Sequence, residues 1–419
     1  MWIARGVEPL VRRMAQQFPA VLITGTRQTG KTSLLRHLYP GASYLTLDLP
    51  ANAEAARTAP DTLLEAYPSP VIIDEIQYAP SLLRHLKVRI DQDRSPGRFL
   101  LTGSQVFPLM QGVSESLAGR CAVLNLHTLA RAELLAAGCE IEESRYLFLG
   151  GYPELHVGAD PDLWFPAYVA TYLERDVRNV LRVADLPEFN RFLRACALRI
   201  SQVVNYSDLA RDTGIAPNTA RKWVGLLQTS GVVAMMEPYF GNRTKRLIKA
   251  PKLAFLDTGL AVFLAGFHSA RELAASSLVG AFWESHVFGQ IVRQAASRAD
   301  AAPVGYWRTA GGPEVDVVIE RAGALIAIEC TWKEHPGHAD AGGLKALEAA
   351  EPGRVKLKMI VCRTKAAYTL PDGTWVVGTS DALKRRMNGA ERARTANWKV
   401  AWPLIPICSV AGVADGAPR

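Results

Sequence analysis

The sequence feature that most constrains this chain is a phosphate-binding loop close to its N terminus. Residues 25–32 read GTRQTGKT, a complete Gly-x-x-x-x-Gly-Lys-Thr motif. The apolar stretch AVLITG leads into the loop, and the amphipathic stretch TSLLRHLYP follows it. A strand before the loop and a helix after it are the structural context that this motif requires. The sequence therefore predicts a nucleotide-binding α/β domain here.

The chemistry of the loop assigns roles to its residues. Backbone N–H groups and the N terminus of the following helix would cradle the phosphates of ATP. Lys31 would reach the β- and γ-phosphates, and the Thr32 hydroxyl would hold Mg²⁺. The predicted nucleotide-binding residues are Gly25, Thr26, Arg27, Gln28, Thr29, Gly30, Lys31, Thr32 and Ser33.

A second motif supplies the acids that such a site needs. Residues 70–77 read PVIIDEIQ, in which a short apolar run typical of a buried parallel strand ends in Asp74 and Glu75. Ligands of open α/β sheets bind at the carboxyl ends of the strands. We therefore expect Asp74 to hold Mg²⁺ and Glu75 to activate the attacking water.

Two further residues are candidates for this site. The stretch RFLLTGSQ predicts another strand ending in polar residues, of which Ser104 is the favoured sensor of the γ-phosphate. Arg120 lies in LAGRCAVLNL, just before the last predicted strand of the domain. It could complete the ATP site of this subunit or of a neighbouring one, or it could be a solvated surface arginine.

The N-terminal domain is predicted to cover residues 1–155. Candidate strands at 21–24, 44–47, 71–74, 99–102 and 123–126 alternate with helical patterns. This alternation predicts a parallel sheet with helices on both faces. No apolar run approaches the length of about 18 residues that spans a membrane, and no signal peptide is recognisable, so we expect a cytoplasmic protein.

The second domain, residues 156–270, is predicted to be helical and to include a winged helix. Residues 205–233 have the pattern of a helix-turn-helix, and a candidate hairpin with a basic turn follows. The net charge of +8 also favours an anionic partner such as DNA. The alternative is a protein-interaction or lever module. The candidate DNA contacts are Arg221, Lys222, Arg243, Lys245 and Arg246.

The third domain, residues 275–380, contains a candidate acidic cluster. Glu284, Asp316 and Glu329 match the acids that hold Mg²⁺ in restriction-endonuclease-like folds. Such folds place a lysine two residues after the last acid, but Thr331 stands there and the nearest lysine is Lys333. An active nuclease, a binding module and a purely structural acid set all remain open. The basic and apolar tail, residues 381–419, receives no function.

The motifs together resemble a large bacterial and archaeal group of AAA-type P-loop ATPases. The resemblance covers about residues 1–380 and is carried by ITGTRQTGKTSLL, VIIDEIQ, LLTGS, LAGR, GGYPE, YLERDV, KRLIKAPKLAFLDTGLA, and WR with EVDVVIE and IEC. It implies an N-terminal ATPase joined to a C-terminal region of uncharacterised function. In that region a winged helix precedes a restriction-endonuclease-like fold.

Two functions are consistent with these patterns. The first is ATP hydrolysis with Mg²⁺, coupled to DNA binding through the winged helix and the nuclease-like domain. The second is an ATP-dependent conformational switch that regulates a protein partner and has an inactive nuclease-like domain. A homo-oligomer is compatible with either function, because Arg120 could serve a neighbouring subunit.

Overall fold

The computed structural model describes residues 2–103, 113, 116–173, 186–239, 241, 250–309 and 312–378. Ser104, Arg243, Lys245, Arg246 and the tail 381–419 lie outside these ranges, so the predictions made for them have no structural counterpart.

The N-terminal region is a parallel sheet covered by helices on both faces. Its strands are β1 (Ala20–Thr24), β2 (Ser43–Thr46), β3 (Val71–Asp74), β4 (Phe99–Thr102) and β5 (Cys121–Asn125), in the order β2-β3-β4-β1-β5. Its helices are α1 (Glu8–Gln17), α2 (Lys31–Leu38), α3 (Pro50–Thr58), α4 (Pro60–Ala66), α5 (Leu82–Gln92), α6 (Arg131–Ala136) and α7 (Glu143–Leu149). This architecture confirms the predicted P-loop NTPase fold.

Burial on both faces explains why the strands of this sheet are continuous apolar runs. In β1, Ala20 and Leu22 pack into one apolar core while Val21 and Ile23 pack into another. Strand β4 lies between β1 and β3 and is parallel to both. The end of β4 is therefore placed between the loop that follows β1 and the acids that follow β3.

Helices form the region that follows. They are α8 (Pro161–Tyr168), a π-helical turn (Val169–Leu173), α9 (Leu186–Ala197), α10 (Tyr206–Thr213) and α11 (Pro217–Thr229). The Asn205 side chain caps α10 by accepting from the N–H groups of Ser207 and Asp208, at 3.0 and 3.2 Å. Gly214 ends α10 in the left-handed conformation that favours glycine, with φ of 78°.

A mixed sheet completes the described chain. Its strands are β6 (Val233–Pro238), β7 (Lys252–Phe255), β8 (Val304–Arg308), β9 (Glu314–Arg321), β10 (Ala324–Cys330), β11 (Val355–Cys362), β12 (Tyr368–Thr369) and β13 (Trp375–Gly378). The order is β12-β13-β11-β10-β9-β8-β6-β7. The accompanying helices are α12 (Thr258–Leu264), α13 (Ala270–Ala275), α14 (Val279–Arg298) and α15 (Gly342–Ala350).

The mixed sheet is continuous across the predicted boundary between the second and third domains. Strands β6 and β7 pair with each other in antiparallel fashion, and β6 also pairs with β8 in parallel. The candidate hairpin after the helix-turn-helix is thus an edge of the C-terminal sheet. Within the described ranges, no helix is long and apolar enough to cross a membrane.

Candidate functional site

The phosphate loop has the backbone that its glycines allow. Gly25 has φ of 138°, and a Cβ there would lie 2.2 Å from the carbonyl oxygen of Leu126. Gly30 precedes α2 with φ of 89°. Lys31 is buried, and its Nζ donates to the carbonyl oxygens of Gly25 and Thr26 at 3.2 and 3.0 Å. The ammonium is therefore held directly at the loop where phosphates would bind.

Asp74 lies at the centre of a set of hydroxyl groups at the same edge of the sheet. Its Oδ1 accepts from the Thr32 hydroxyl at 2.6 Å and from the Thr102 hydroxyl. Its Oδ2 accepts from the Tyr44 hydroxyl at 2.9 Å. Burial, and then the hydrogen bond to Asp74, raise the pKa of Tyr44 to about 12, so this hydroxyl stays a donor.

Glu75 is presented by an unusual backbone conformation. Its φ of 57° and ψ of 49° are left-handed, which is uncommon for a residue other than glycine. The Glu75 N–H donates to the Thr102 hydroxyl at 3.1 Å, and the Gln77 amide donates to the Glu75 carboxylate. The β4 residue that contacts both Asp74 and Glu75 is thus Thr102, two residues before the predicted Ser104.

The oxygens of this site fit a divalent cation bound together with a nucleotide. The Thr32 hydroxyl and the Asp74 carboxylate are adjacent, and both belong to the oxygen type that Mg²⁺ prefers. Lys31, Thr32, Asp74 and Glu75, which come from two separate motifs, lie at one edge of the sheet, as the strand pattern predicts.

The structure corrects the expectation that Arg120 serves the ATP site of its own subunit. Arg120 immediately precedes β5, whose Cys121 pairs with Ala20 at the start of β1. The phosphate loop follows the other end of β1, about 16 Å away at the usual rise per residue. The Arg120 guanidinium instead makes a two-pronged ion pair with Asp91, at 2.7 and 3.0 Å. A role at a neighbouring subunit stays a prediction.

Two buried residues outside the two motifs lie beside the phosphate loop. Arg5 donates to the Thr29 carbonyl oxygen at 2.9 Å and to the His127 carbonyl oxygen at 2.7 Å. The Tyr152 hydroxyl donates to the Tyr168 hydroxyl at 3.0 Å, and the Thr26 side chain of the loop is close enough to affect the pKa of Tyr152. Arg5 belongs to no recognisable motif. Tyr152 lies in the GGYPE stretch, so the sequence did contain a signal for this residue.

The segment after β5 joins the loop to the C-terminal regions. Leu126 contacts Gly25, and two residues later Thr128 accepts from the Arg293 guanidinium of α14 at 2.7 Å. Arg293 also donates to the Leu256 carbonyl oxygen at 2.5 Å. Asp257 accepts from the Gly151 N–H at 2.8 Å. A short run of direct contacts therefore connects the phosphate loop with α14.

A second buried lysine lies in the C-terminal sheet, surrounded by carboxylates. Lys252 of β7 is only 3% exposed. Its Nζ lies 2.6 Å from Glu284 Oε1, forms an ion pair with Glu314, and lies 3.8 Å from Asp316 Oδ1. We call Lys252, Glu284, Glu314, Asp316 and Glu329 the lysine–acid cluster.

Three acids of the lysine–acid cluster form a close group that differs from the predicted acid set in one member. Ligand atoms of Glu284, Glu314 and Asp316 lie within 4.8 Å of one another. Glu329, which the sequence predicts in place of Glu314, lies beside Asp316 but outside this close group. A bulge in the pairing of β8 with β9 interrupts the expected alternation, so that Val315 and Val317 pack into different cores. Bulges of this kind re-aim neighbouring side chains.

Burial dominates the electrostatics of the lysine–acid cluster. It raises the pKa of Glu284 well above the usual value, with a further contribution from Asp316. Burial, and then Asp316, also raise the pKa of Glu329 to about 10. Burial disfavours the charged form of Lys252, but the attraction of Glu284, Asp316 and Glu314 outweighs it and raises the pKa of the ammonium.

Lys333 and Lys252 have different surroundings. Lys333 has an exposed side chain that does not approach the acids, and its Nζ lies 2.5 Å from Asp340. Lys252 begins β7 and is buried, so it is unavailable to phosphates. On α11, Arg221 and Lys222 are exposed as predicted, with the Arg221 guanidinium 5.0 Å from the ring centre of Tyr206.

Comparisons with known proteins divide the chain into three stretches. Family models match an AAA domain over residues 17–135, a domain of unknown function (DUF8612) over 142–271 and another (DUF4143) over 279–381. Uncharacterized protein Rv2008c of Mycobacterium tuberculosis is 32% identical over 323 residues, covering 76% of this chain and 71% of that protein. Uncharacterized protein Mb2031c of Mycobacterium bovis matches with the same values.

Among solved structures, the Walker-type ATPase of Pyrococcus abyssi is similar to this chain. It is 16% identical, with a TM-score of 0.41, and the match covers 61% of this chain and 94% of that one.

Proposed function

The chain belongs to a family of AAA-type ATPases with C-terminal domains of unknown function, and from this premise we propose that it hydrolyses ATP with Mg²⁺. One observation carries the proposal: Lys31, Thr32, Asp74 and Glu75 converge at one edge of the parallel sheet, where the Thr102 hydroxyl donates to the Asp74 carboxylate and accepts from the Glu75 N–H. Families with this P-loop use these residue types to bind a nucleoside triphosphate and to transfer its terminal phosphoryl group to water.

Each side chain has a definite task in this reaction. When ATP binds, Lys31 exchanges its contacts with the loop carbonyls for the β- and γ-phosphates. Mg²⁺, held by Thr32 and Asp74, would supply positive charge beside the phosphates. Glu75 orients a water whose oxygen forms a bond to the γ-phosphorus as the bond to the bridging oxygen breaks. The water proton passes to the Glu75 carboxylate or to the phosphate product.

Two variants test this proposal. Lys31→Ala is expected to abolish tight binding of a fluorescent ATP analogue, or turnover, because the phosphates lose their main cation. Glu75→Gln is expected to bind the analogue with an affinity close to that of the parent and to hydrolyse ATP about 10²–10³-fold more slowly. The matched control is Glu54→Gln, which alters an exposed acid on α3. Full turnover in Lys31→Ala would contradict the proposed site.

The nucleotide state has a direct route to the C-terminal regions. Lys31 bonds to the carbonyl oxygen of Thr26, whose side chain lies close to Tyr152, and Tyr152 in turn donates to Tyr168 at the end of α8. The segment after β5 provides a second connection. Its Leu126 contacts Gly25, and its Thr128 carbonyl oxygen accepts from Arg293 on α14. When Lys31 turns towards phosphate, the loop carbonyls lose a donor. We therefore expect the contacts that Thr26 and Leu126 make to change before contacts farther from the loop.

DNA binding is a second candidate function, favoured by the geometry of α10 and α11. The two helices are joined through the left-handed Gly214, and α11 exposes Arg221 and Lys222 near its N-terminal end. This is the position from which a recognition helix contacts DNA. The hairpin β6–β7 follows in the place of a wing, although Lys252 is excluded from any contact with phosphates by its burial.

An anisotropy titration with a fluorescent duplex distinguishes DNA binding from the protein-switch alternative. Replacing both Arg221 and Lys222 by Ala should weaken binding and reduce the dependence of the affinity on salt. The matched control replaces Arg84 and Lys87, an exposed basic pair on α5. Parent protein that binds duplex no better than the double variant, with turnover indifferent to DNA, would favour a switch that acts on a protein partner.

A further inference from the structure

The lysine–acid cluster collects acids from several elements around one ammonium group. Glu284 comes from α14, Glu314 and Asp316 from β9, and Lys252 from β7 on the far side of β6 and β8 in the sheet order. A divalent cation in a nuclease-like site would use the carboxylate oxygens of Glu284, Glu314 and Asp316. The Lys252 Nζ already bonds to two of these groups and lies 3.8 Å from the third.

Two further oxygens of the cluster also have donors. Asp316 Oδ2 accepts from the Cys330 N–H at 2.8 Å. The second oxygen of Glu314 lies 3.3 Å from the Arg308 guanidinium. Two cationic side chains and a backbone N–H thus meet the acids, and a metal ion would have to displace contacts that the fold already makes.

Lys252 is held in this position by its own strand. Its backbone pairs with Met236 of β6, and it forms a further bridge with Val203. The Tyr306 ring lies 5.2 Å from Nζ, and the Tyr306 hydroxyl donates to the Ala250 carbonyl oxygen at 2.7 Å. Moving the ammonium out of the cluster would leave buried carboxylates without their partner, which is strongly unfavourable.

We propose that Lys252 takes the place of a metal ion in this chain. The lysine–acid cluster is an internal ion-pair site that fastens β7 to α14 and β9, and it does not bind a divalent cation while Lys252 is present. The residues therefore do not fit the metal that a nuclease-like fold implies. This inference goes beyond the ATPase proposal and does not rest on it.

The test measures Mn²⁺ binding to the full-length chain by the loss of the free-ion electron paramagnetic resonance signal. All proteins carry Asp74→Asn, which removes the carboxylate of the ATP site. In this background we expect no stoichiometric Mn²⁺ binding at concentrations up to about 0.1 mM. Replacing Lys252 by Met should create one Mn²⁺ site, and adding Asp316→Asn should remove it again. The matched control is Lys333→Met, which removes an exposed ammonium outside the cluster.

Thermal unfolding in EDTA and in Mn²⁺ gives an independent readout. Lys252→Met should lower the Tm in EDTA by at least about 5 °C, because buried carboxylates lose their partner, and Mn²⁺ should restore part of the loss. The background protein should unfold at the same temperature in both solutions. A Mn²⁺ site in the background protein that Asp316→Asn abolishes would overturn the proposal, even if the Lys252→Met chain fails to fold. An unchanged Tm in Lys252→Met would overturn it too.

Discussion

Two buried lysines of this protein, Lys31 and Lys252, have opposite kinds of bonding partners. Lys31 donates to backbone carbonyl oxygens, which carry no net charge. Lys252 forms ion pairs with carboxylates from two other elements. A positive charge bonded to neutral dipoles remains available to an incoming anion, whereas a charge compensated by carboxylates attracts an anion much less.

This difference shows that burial of a lysine does not by itself indicate a binding site. Lys31 follows a glycine with φ of 89° at the start of a helix, so backbone N–H groups and the ammonium all face the same space. Lys252 lies within a paired strand and faces acids. One lysine is arranged for an exchangeable partner, and the other for a permanent one.

The largest expected effects come from replacing each lysine by Met and measuring both ATP turnover and thermal stability. Lys31→Met should reduce turnover by about 10²–10³-fold, because a cation aimed at the reacting phosphate is lost. Its Tm should change by less than about 2 °C. Lys252→Met should lose about 3–5 kcal/mol of unfolding free energy and keep turnover within about threefold when assayed well below its Tm.

The comparison between the two lysines fails if these effects are reversed or equal. A Lys31→Met chain that unfolds as early as Lys252→Met would mean that the phosphate loop, too, depends on its ammonium for stability. A Lys252→Met chain that is stable but inactive would instead connect the lysine–acid cluster to the ATP site. Lys87→Met, on the exposed face of α5, controls for the loss of one positive charge.

The sequence could predict the nucleotide site because its determinants are local. The Gly-rich loop and the acids after β3 each lie within eight consecutive residues, and apolar runs identify the strands that bring them together. The contacts of Arg5 with the phosphate loop and of Tyr44 with Asp74 could not be predicted, because they depend on how distant segments pack. The alternatives for Arg120 could not be separated for the same reason: its position relative to the motif is set by the direction of β5.

The lysine–acid cluster could be predicted only in part. The sequence identifies both Glu284 and Asp316. In the structure Glu314, rather than Glu329, lies close to them, because of a bulge that the residue pattern does not predict. Lys252 belongs to a strand that the sequence assigns to a separate hairpin. Only the pairing of β6 with β8 brings that strand to the acids, and such long-range pairing leaves no local signal.

A smaller effect would show how far the hydroxyl groups around Asp74 position the acids of the ATP site. Thr102→Val keeps the shape of the side chain but removes the bonds to Asp74 and to the Glu75 N–H. We expect turnover to fall about tenfold, since hydrogen bonds to charged groups contribute about 1.5–3 kcal/mol. Tyr44→Phe removes one bond from a half-exposed ring and should cost less. Equal effects in the two variants would argue against a central role for Thr102.

A last expected effect concerns the pH dependence of stability in the lysine–acid cluster. Burial and Asp316 raise the pKa of Glu329 to about 10 in the folded chain, compared with about 4.3 when unfolded. Between these values the folded chain binds more protons than the unfolded chain. The stability contributed by the Glu329 proton is therefore complete below about pH 4 and is lost progressively as the pH rises to about 10.

Glu329→Gln should remove this dependence, because the amide can donate to Asp316 without a titrating proton. In urea unfolding between pH 5 and 9, the variant should match the parent at the acidic end and become more stable than the parent as the pH rises. Glu348→Gln, an exposed acid on α15, should follow the parent throughout. Parallel curves for Glu329→Gln and the parent would mean that Glu329 is ionised in the folded chain. The cluster would then hold two more negative charges than Lys252 and Arg308 can balance, and a metal ion would again be favoured there.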